Sequence, residues 1–487
     1  MADSRLAAER LANRMEHVMQ AQTRIIYFLV SLVVAFLLTF FVSSKEVDFT
    51  QNQQYVLFIL VFAVSLWVTE AIPPFATGLL IVGLLIFLLS QVGDNDVSDP
   101  NYINVQRFVD TWTNSVVWLM LSGFFIAGAL KKTGLDKELF RMSVSRFGHD
   151  PRKVLLGVML MTAVFSMVMS NTATTAMMLA SVMPFIERIG PDRNIAKVLL
   201  IGIPAAAAVG GMGTIIGSPP NVIAVDAINN FLQNNDQIDY EVGFLEWMIL
   251  GVPVALILVL TFWKALVNRY EIITERIDLQ LDPAPKPSSP IRKFQRRFVV
   301  GVLLVTVLLW LTGNLHGVPA AAVSGIPIII LPMVSVITGD DVRELPWDTL
   351  MLVAGGLSLG LAIKESGLAE FFVEKIRYFS INQYLLMVIF AFATVLFSNI
   401  MSNTATATIL IPIASIIPGV EPVSMAIIIG LSASCALLLP VSTPPNAIAF
   451  STGHLKQIDF RLGGVVIGIV GPILAIIWVL FLFSLLP

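Results

Sequence analysis

Residues 169–174 read Met-Ser-Asn-Thr-Ala-Thr, in the middle of an apolar stretch, and residues 401–406 repeat the same six residues 232 positions later. The first copy lies between Lys153 and Arg188, in a run of about 33 residues whose one charge, Glu187, stands at its end. Polar side chains inside a membrane segment are costly and often mark a functional site. The repeated string is therefore the first candidate for such a site.

The run around the first string is too long for one membrane helix and too short for two, because a helix needs roughly 20 residues to cross a bilayer. Cations flank it on both sides, which indicates that both ends lie in the cytoplasm. The pattern predicts a re-entrant hairpin over residues 153–187, with the Ser-Asn-Thr string at its tip, and a second hairpin over residues 381–418. Irregular backbone at membrane depth is stable only when it is buried in protein or lines a wet cavity. Two such tips indicate a binding site between them.

The composition defines the class of protein. Of the 487 residues, 56% are hydrophobic and only 13% are charged, and the mean hydropathy is +0.83. These values are typical of a polytopic helical membrane protein and exclude a soluble enzyme. The single cysteine, Cys435, excludes an internal disulfide and a cysteine metal cluster, and its apolar surroundings predict a small buried side chain.

Apolar runs predict eleven transmembrane helices in addition to the two hairpins. They cover residues 25–43, 55–72, 75–91, 113–130, 198–226, 246–263, 298–315, 319–337, 348–363, 422–450 and 463–486. With the N-terminus inside, the outer side keeps only five of the 30 Lys and Arg residues, namely Lys45, Arg107, Lys364, Lys375 and Arg377. This bias predicts a plasma-membrane protein, or an inner-membrane protein in a bacterium, with its N-terminus in the cytoplasm and its C-terminus outside.

The sequence after the first helix divides into two similar halves. Residues 119–135 resemble residues 352–368 in outline, and each half then presents a Ser-Asn-Thr string followed by Pro-Pro-Asn. Five spans in each half, an odd number, predict that the second half is inverted relative to the first, an architecture typical of transporters. The predicted divisions are a cytoplasmic N-terminal segment (1–24), the first helix (25–54), repeat 1 (55–267), a cytoplasmic linker (268–297) and repeat 2 (298–487).

The Pro-Pro-Asn segments predict broken helices. A straight helix over residues 199–228 would extend roughly 45 Å at 1.5 Å per residue, which exceeds the hydrocarbon core. Glycine frees the backbone dihedrals and proline removes a hydrogen-bond donor, so we expect breaks within residues 198–226 and 422–450. We expect the carbonyls freed at these breaks to be available to cations.

The residue types in the strings and breaks suit both a cation and an anion. Serine hydroxyls, asparagine amides and unwound carbonyls are hard oxygen ligands for a small cation such as sodium, while amide groups and helix N-termini can donate to a carboxylate. The sequence has no Lys, Arg or His between Lys197 and Lys264, and no Lys or Arg between Arg377 and Lys456, where the one histidine, His454, stands at the end of the range. Bound cations would therefore balance the charge of a bound anion.

Simpler interpretations exist for individual features. Ser, Thr and Asn within membrane helices commonly form interhelical hydrogen bonds, and the GxxxG spacings at residues 213–217 and 356–360 fit close helix packing. Glu70, which closes the second span, fits local pairing or interfacial exposure better than a role in the site. The duplication of the whole string, each copy followed by Pro-Pro-Asn, favours a shared binding site over interhelical bonding.

These motifs resemble the divalent anion:sodium symporter family of dicarboxylate, citrate and sulfate carriers. The resemblance covers the chain after about its first twenty residues, and the two Ser-Asn-Thr strings with paired Pro-Pro-Asn breaks carry it. It implies an all-α polytopic fold of eleven transmembrane helices and two re-entrant hairpins in two inverted repeats. It also implies a homodimer in the lipid bilayer, in which each protomer carries its site across the membrane by an elevator motion. No cofactor is implied besides sodium as the coupling ion.

The resemblance also implies two sodium sites and a substrate site. Sodium ligands would come from Ser166, Ser170, Asn171 and backbone near Gly217 in one site, and from Ser398, Asn403 and backbone near Met401 and Ser442 in the other. Substrate carboxylates would meet Asn171, Thr172, Pro219, Asn403, Thr404 and Pro444. Both strings are complete, which resembles the carboxylate carriers more than the sulfate branch, and no basic side chain replaces a sodium site.

The sequence therefore favours sodium-coupled symport of a C4-dicarboxylate such as succinate, malate or fumarate. A dicarboxylate exchanger, or a citrate or sulfate symporter of the same family, remains the alternative at this stage. A passive anion channel would instead show unitary currents without concentrative uptake. No HExxH, GxSxG or Walker pattern occurs, so nothing in the sequence indicates an enzyme or an ATP-driven pump.

Overall fold

The structure is a computed structural model. It describes residues 2–46, 49–90, 102–144, 147–190, 193–233, 241–272, 289–376, 382–415, 417 and 420–485. The described residues form helices and no strand. In chain order these helices are α1 (Ala2–Lys45), α2 (Gln51–Thr69), α3 (Pro74–Leu89), α4 (Gln106–Asp110), α5 (Ser115–Thr133), α6 (Leu135–Val144), α7 (Pro151–Ser166), α8 (Asn171–Ile189), α9 (Asn194–Gly210), α10 (Pro219–Gln233), α11 (Phe244–Arg269), α12 (Pro290–Leu311), α13 (Gly313–His316), α14 (Ala320–Met333), α15 (Gly339–Arg343), α16 (Trp347–Glu365), α17 (Leu368–Ile376), α18 (Gln383–Ser398), α19 (Asn403–Ser415), α20 (Pro422–Ala433), α21 (Pro444–Ser451) and α22 (Arg461–Leu485).

Within these residues, eight helical segments are long and apolar enough to cross a membrane. Four shorter apolar helices, α3, α14, α18 and α20, coincide with predicted spans 75–91 and 319–337, with the first arm of the second predicted hairpin, and with the start of predicted span 422–450. The all-helical membrane fold agrees with the sequence analysis. The full set of eleven spans, two hairpins and inverted repeats stays a prediction.

The main differences from the predicted elements lie at helix ends. α1 is one continuous helix from Ala2, so the predicted N-terminal segment joins the first membrane helix without a boundary. Two short helices, α6 and α17, follow the apolar helices α5 and α16 and were not predicted. Gly134 (φ 68°) and Gly367 (φ 69°) make the preceding turns, because the left-handed backbone conformation costs glycine little.

The chain forms two compact units. Unit 1 comprises Met1–Trp112 and Met351–Lys375, and in it α2 packs against α1 and α3. Gly78 of α3 and Gly355 of α16 are in such close contact that a Cβ atom on Gly355 would lie 2.4 Å from the Gly78 Cα. Glycine at both positions therefore permits the close approach of the two helices.

Unit 2 comprises Thr113–Leu350 and Ile376–Pro487 and contains both Ser-Asn-Thr strings. Two helices, α9 and α20, are buried along almost their whole length. α9 packs against α7, α8 and α11, whereas α20 packs against α10, α18, α19 and α22. Both helices are apolar on all faces, which is the pattern of a helix enclosed by other helices. The candidate site lies at the C-terminal ends of these two helices.

Candidate functional site

Each Ser-Asn-Thr string lies at a gap between two helices. We call residues 167–170 the first tip, since α7 ends at Ser166 and α8 begins at Asn171. Residues 399–402, between α18 and α19, are the second tip. The serine of each string caps the helix that follows: Ser170 Oγ accepts a hydrogen bond from the Ala173 amide (3.2 Å), and Ser402 Oγ accepts one from the Ala405 amide (3.1 Å). Serine is a preferred N-cap residue, so the string itself ends one helix and starts the next.

Each Pro-Pro-Asn segment starts a helix after an irregular stretch. The first break, residues 211–218, separates α9 from α10 and contains two short 3₁₀ turns. The second break, residues 434–443, separates α20 from α21. The two breaks share a turn at the same distance from Pro-Pro-Asn: the Gly217 amide donates to the Thr214 carbonyl (3.3 Å), and the Ser442 amide donates to the Leu439 carbonyl (3.2 Å). The breaks thus have a common local fold.

Side chains donate hydrogen bonds to three carbonyls of the first break. Asn221 Nδ2 donates to the carbonyls of Gly211 and Thr214, both at 2.8 Å. The buried Trp247 donates through Nε1 to the Met212 carbonyl at 3.0 Å. Buried backbone groups normally require such partners. These three carbonyls thus have hydrogen-bond partners, and the expectation that break carbonyls bind cations stays a prediction.

The second break is held in the same way. Asn446 Nδ2 donates to the carbonyls of Leu439 (3.0 Å) and Leu437 (3.4 Å). The Ser442 hydroxyl lies 2.8 Å from the Leu439 carbonyl oxygen, to which it donates, and 3.2 Å from that of Ala436. The final asparagine of each Pro-Pro-Asn segment thus closes its own break. Sequence analysis noted the segment but missed this role. The signal for it was the asparagine that ends both copies.

The first predicted cation site is a cluster of oxygen atoms around Asn171. One terminal atom of its carboxamide lies 2.6 Å from Ser166 Oγ, 3.1 Å from the Ala207 carbonyl oxygen and 3.3 Å from the Gly217 carbonyl oxygen. Oriented with Nδ2 toward them, Asn171 donates to all three. Oriented with Oδ1 toward them, the same side chain completes a set of four oxygens, which is the ligand type that a hard cation requires. The residues fit a small cation.

Two glycines leave room for this cluster. A Cβ atom on Gly211 would lie 2.4 Å from Asn171 Oδ1, and one on Gly217 would lie 2.6 Å from the Gly211 carbonyl oxygen. Contacts this short are excluded for real Cβ atoms. The first oxygen cluster therefore depends on glycine at both positions.

The second predicted cation site contains two buried oxygens without a hydrogen-bond partner, Ser398 Oγ and Asn403 Oδ1. Ser398 is completely buried and ends α18, while Asn403 begins α19. An unsatisfied buried polar atom costs about 1–3 kcal/mol, and a bound cation would remove that cost. Both atoms are oxygen ligands of the type that a hard cation requires, and they flank the second tip.

The other predicted site residues occupy varied positions. Ser170 acts as an N-cap, Met401 is buried, and the Ser442 hydroxyl bonds within its own break. At the helix starts, Thr172 and Pro444 are exposed, Pro219 is partly buried and Thr404 is buried. Glu70 is exposed at the end of α2, with a left-handed backbone (φ 49°), which agrees with its structural interpretation.

The two halves meet through their broken helices. α10 of the first half packs against α19 and α20, and α21 of the second half packs against α8 and α9. Four helix N-termini, those of α8, α10, α19 and α21, belong to this arrangement. α8 and α19 begin with Asn-Thr, whose amides carry partial positive charge and favour anions, whereas α10 and α21 begin with two prolines, which have no N–H group. Among the described residues no cluster of three or more His, Cys, Asp or Glu side chains could hold a metal ion, so the oxygen clusters are the candidate cation ligands.

The helical bundle and the paired strings, breaks and oxygen clusters define a membrane transporter. The chain belongs to the family described as the sodium:sulfate symporter transmembrane region, which matches residues 22–486. It is similar to the sodium-dependent dicarboxylate transporter SdcS of Staphylococcus aureus strain USA300 (28% identity, covering 92% of this chain and 89% of SdcS). SdcS of Staphylococcus saprophyticus is 30% identical, with 88% of this chain and 86% of that protein covered.

Two solved structures share the fold. The Alcanivorax borkumensis YdaH transporter has a TM-score of 0.59 and 14% identity, covering 85% of this chain and 100% of that chain. Neisseria gonorrhoeae MtrF, described among antimetabolite efflux pumps, has a TM-score of 0.52 and 11% identity, covering 85% and 96% respectively. At these identities the likeness concerns the fold alone.

Proposed function

We propose that this protein is a sodium-coupled symporter of C4-dicarboxylates such as succinate, malate or fumarate. The observation that carries the proposal is the oxygen cluster at the start of α8, together with the two buried oxygens without a partner, Ser398 Oγ and Asn403 Oδ1, at the second tip. Ser166, Asn171 and the Gly217 carbonyl would hold one sodium ion, and Ser398 and Asn403 would contribute to the second. The names of the SdcS relatives, which are sodium-dependent dicarboxylate transporters, support the same substrates.

The substrate would bind beside these ions. A dicarboxylate has two negative charges, and the segments that carry the strings and breaks contain no cationic side chain except at their ends. Sodium ions held at the tips would supply the positive charge, and the amides at the N-termini of α8 and α19 would donate to the carboxylates. Binding of the anion and of sodium would thus be mutually dependent, which is the physical basis of coupling.

The proposal extends to the assembly and its motion. The family resemblance supports a homodimer in the plasma membrane, with a cytoplasmic N-terminus, in which an elevator motion carries the site across the membrane. Each net charge moved is worth about 2.3 kcal/mol per 100 mV, so a sodium excess over the anion charge would make uptake sensitive to voltage.

The test is uptake of radiolabelled succinate into proteoliposomes that contain the purified protein. An inward sodium gradient should drive concentrative uptake, and replacing sodium by choline should abolish it. Uptake that ignores sodium but is accelerated by internal dicarboxylate would overturn symport and indicate an exchanger. Absence of succinate uptake, with uptake of sulfate or citrate under the same gradient, would overturn the substrate assignment.

A further inference from the structure

A side chain of the first break joins it to the first tip. Thr214 is 3% exposed, and its hydroxyl donates to the Met167 carbonyl. The same oxygen accepts a hydrogen bond from the Gly217 amide at 3.1 Å. Thr214 thus contacts Met167, which directly follows the cluster residue Ser166. It also orients Gly217, whose carbonyl belongs to the first oxygen cluster.

In the second half the joining side chain comes from the tip. Asn399 Oδ1 accepts a hydrogen bond from the Leu438 amide at 2.9 Å, which connects the second tip to the second break. Its Nδ2 donates to the Val395 carbonyl in the last turn of α18 at 2.8 Å. Asn399 directly follows Ser398 of the second oxygen pair.

These two contacts occupy equivalent places in the two halves. Aligning the strings pairs Met167 with Asn399, and aligning Pro-Pro-Asn pairs Thr214 with Leu439. In the first half, the break supplies the side chain and the tip supplies the backbone group. In the second half the roles are exchanged, and the backbone partner, Leu438, is next to the residue that aligns with Thr214.

We propose that Thr214 and Asn399 are equivalent positioning residues, each of which fixes one tip against one break and so holds one cation site in its binding geometry. The first cluster draws its oxygens from separate segments, because Ser166 and Asn171 flank the tip, the Ala207 carbonyl belongs to α9 and the Gly217 carbonyl belongs to the break. A cation with ligands on separate segments binds more tightly when their separation is already fixed. Neither residue needs to touch the ion.

The inference rests on the proposed sodium coupling and is tested by sodium binding without transport. The measurement is the thermal stability of the purified protein in detergent with saturating succinate, as a function of sodium concentration. Thr214→Val keeps the shape and removes the hydroxyl, and Asn399→Ala removes the carboxamide. Each should raise the half-maximal sodium concentration about fivefold, the ratio that corresponds to about 1 kcal/mol for one hydrogen bond.

The controls separate positioning from general stability. Thr162→Val is the matched control, because Thr162 is buried in α7 and its hydroxyl donates to the Val158 carbonyl of its own helix at 2.7 Å. Thr162→Val should leave the half-maximal sodium concentration at the wild-type value. Thr214→Ser, which keeps the hydroxyl, should also have the wild-type value. If Thr214→Val does not fold, Asn399→Ala compared with the wild type decides the question.

Two negative results have different meanings. A wild-type protein that sodium does not stabilise would overturn the proposed sodium coupling and this inference with it. A wild-type protein that sodium stabilises, with Thr214→Val and Asn399→Ala responding at the same concentrations, would overturn the positioning role alone.

Discussion

The hydroxyl oxygens of Ser218 and Ser434 lie 3.5 Å apart in the interior of unit 2. Ser218 directly precedes α10, and Ser434 directly follows α20. The contact therefore joins the end of the first break to the start of the second. Both side chains are buried, and the distance is at the long end of the hydrogen-bond range.

A double-mutant cycle should detect this contact between the breaks. Ser218→Ala or Ser434→Ala alone leaves the other buried hydroxyl without this partner. The double variant removes both hydroxyls, so no hydroxyl loses its partner. We expect the double variant to lose less stability than the sum of the single variants, with a coupling energy of about 0.5–1 kcal/mol. Thermal unfolding of the three variants measures it, and strictly additive losses would show that the hydroxyls do not interact.

Asn171→Ala and Asn403→Ala should each abolish sodium-driven uptake in a protein that remains folded. Each substitution removes a side chain that can offer oxygen to a cation and nitrogen to a carboxylate. Because both clusters are needed, neither variant should keep half of the activity. Asn314→Ala is the control, since Asn314 is exposed and its amide contacts Glu246. Normal uptake by either test variant would refute the assignment of that site.

Gly211→Ala should abolish sodium-dependent uptake through one added methyl group. Its Cβ atom would lie 2.4 Å from Asn171 Oδ1 and 2.9 Å from the Gly217 carbonyl oxygen, so the first oxygen cluster must open. In Gly301→Ala the new Cβ atom meets no heavy atom within 4 Å, and uptake should be unchanged. Equal uptake by the two variants would contradict the packing around Asn171.

Asn221→Ala and Asn446→Ala should destabilise the protein, by about 1–3 kcal/mol each. Each removes an amide that satisfies two break carbonyls. The melting temperature of purified protein in detergent measures the loss, and the exposed Asn314→Ala variant should show none. A melting temperature equal to that of the wild type would mean that other groups hold the breaks.

Cation substitution should distinguish sodium sites from general charge screening. The oxygen clusters select a cation by size and coordination number, so lithium should support succinate uptake poorly and potassium should not support it. The comparison uses equal inward gradients of the three chloride salts. Equal uptake with potassium would contradict dedicated sodium sites.

Sequence periodicity and repeats anticipated the elements that carry the site. The strings at 169–174 and 401–406 predicted where two helix gaps fall, because the apolar run around each string is too long for one membrane helix and too short for two. The breaks followed from Pro-Pro-Asn and glycine, which act on the local backbone. The residues of the oxygen clusters came from the family resemblance and stay a prediction.

Contacts between distant segments were not accessible in this way. Trp247 on α11 donates to the Met212 carbonyl 35 positions away, and no periodicity in α11 distinguishes it from an ordinary buried aromatic residue. Thr214 and Asn399 escaped notice because they occupy different positions in the aligned halves. The side chain of this contact belongs to the break in the first half and to the tip in the second, so it leaves no repeated residue in the sequence.

That change of side means that the two tips are not interchangeable. If the tips were exchanged between the halves, Met167 would face Leu438 and Leu439, whose side chains offer no hydrogen bond, and Asn399 would face Thr214. The contact between tip and break would then have no hydrogen-bonding side chain in one half. In the other half it would have two, those of Asn399 and Thr214. Each tip is therefore matched to its own break, and we expect that exchanging the two tips would weaken the first connection.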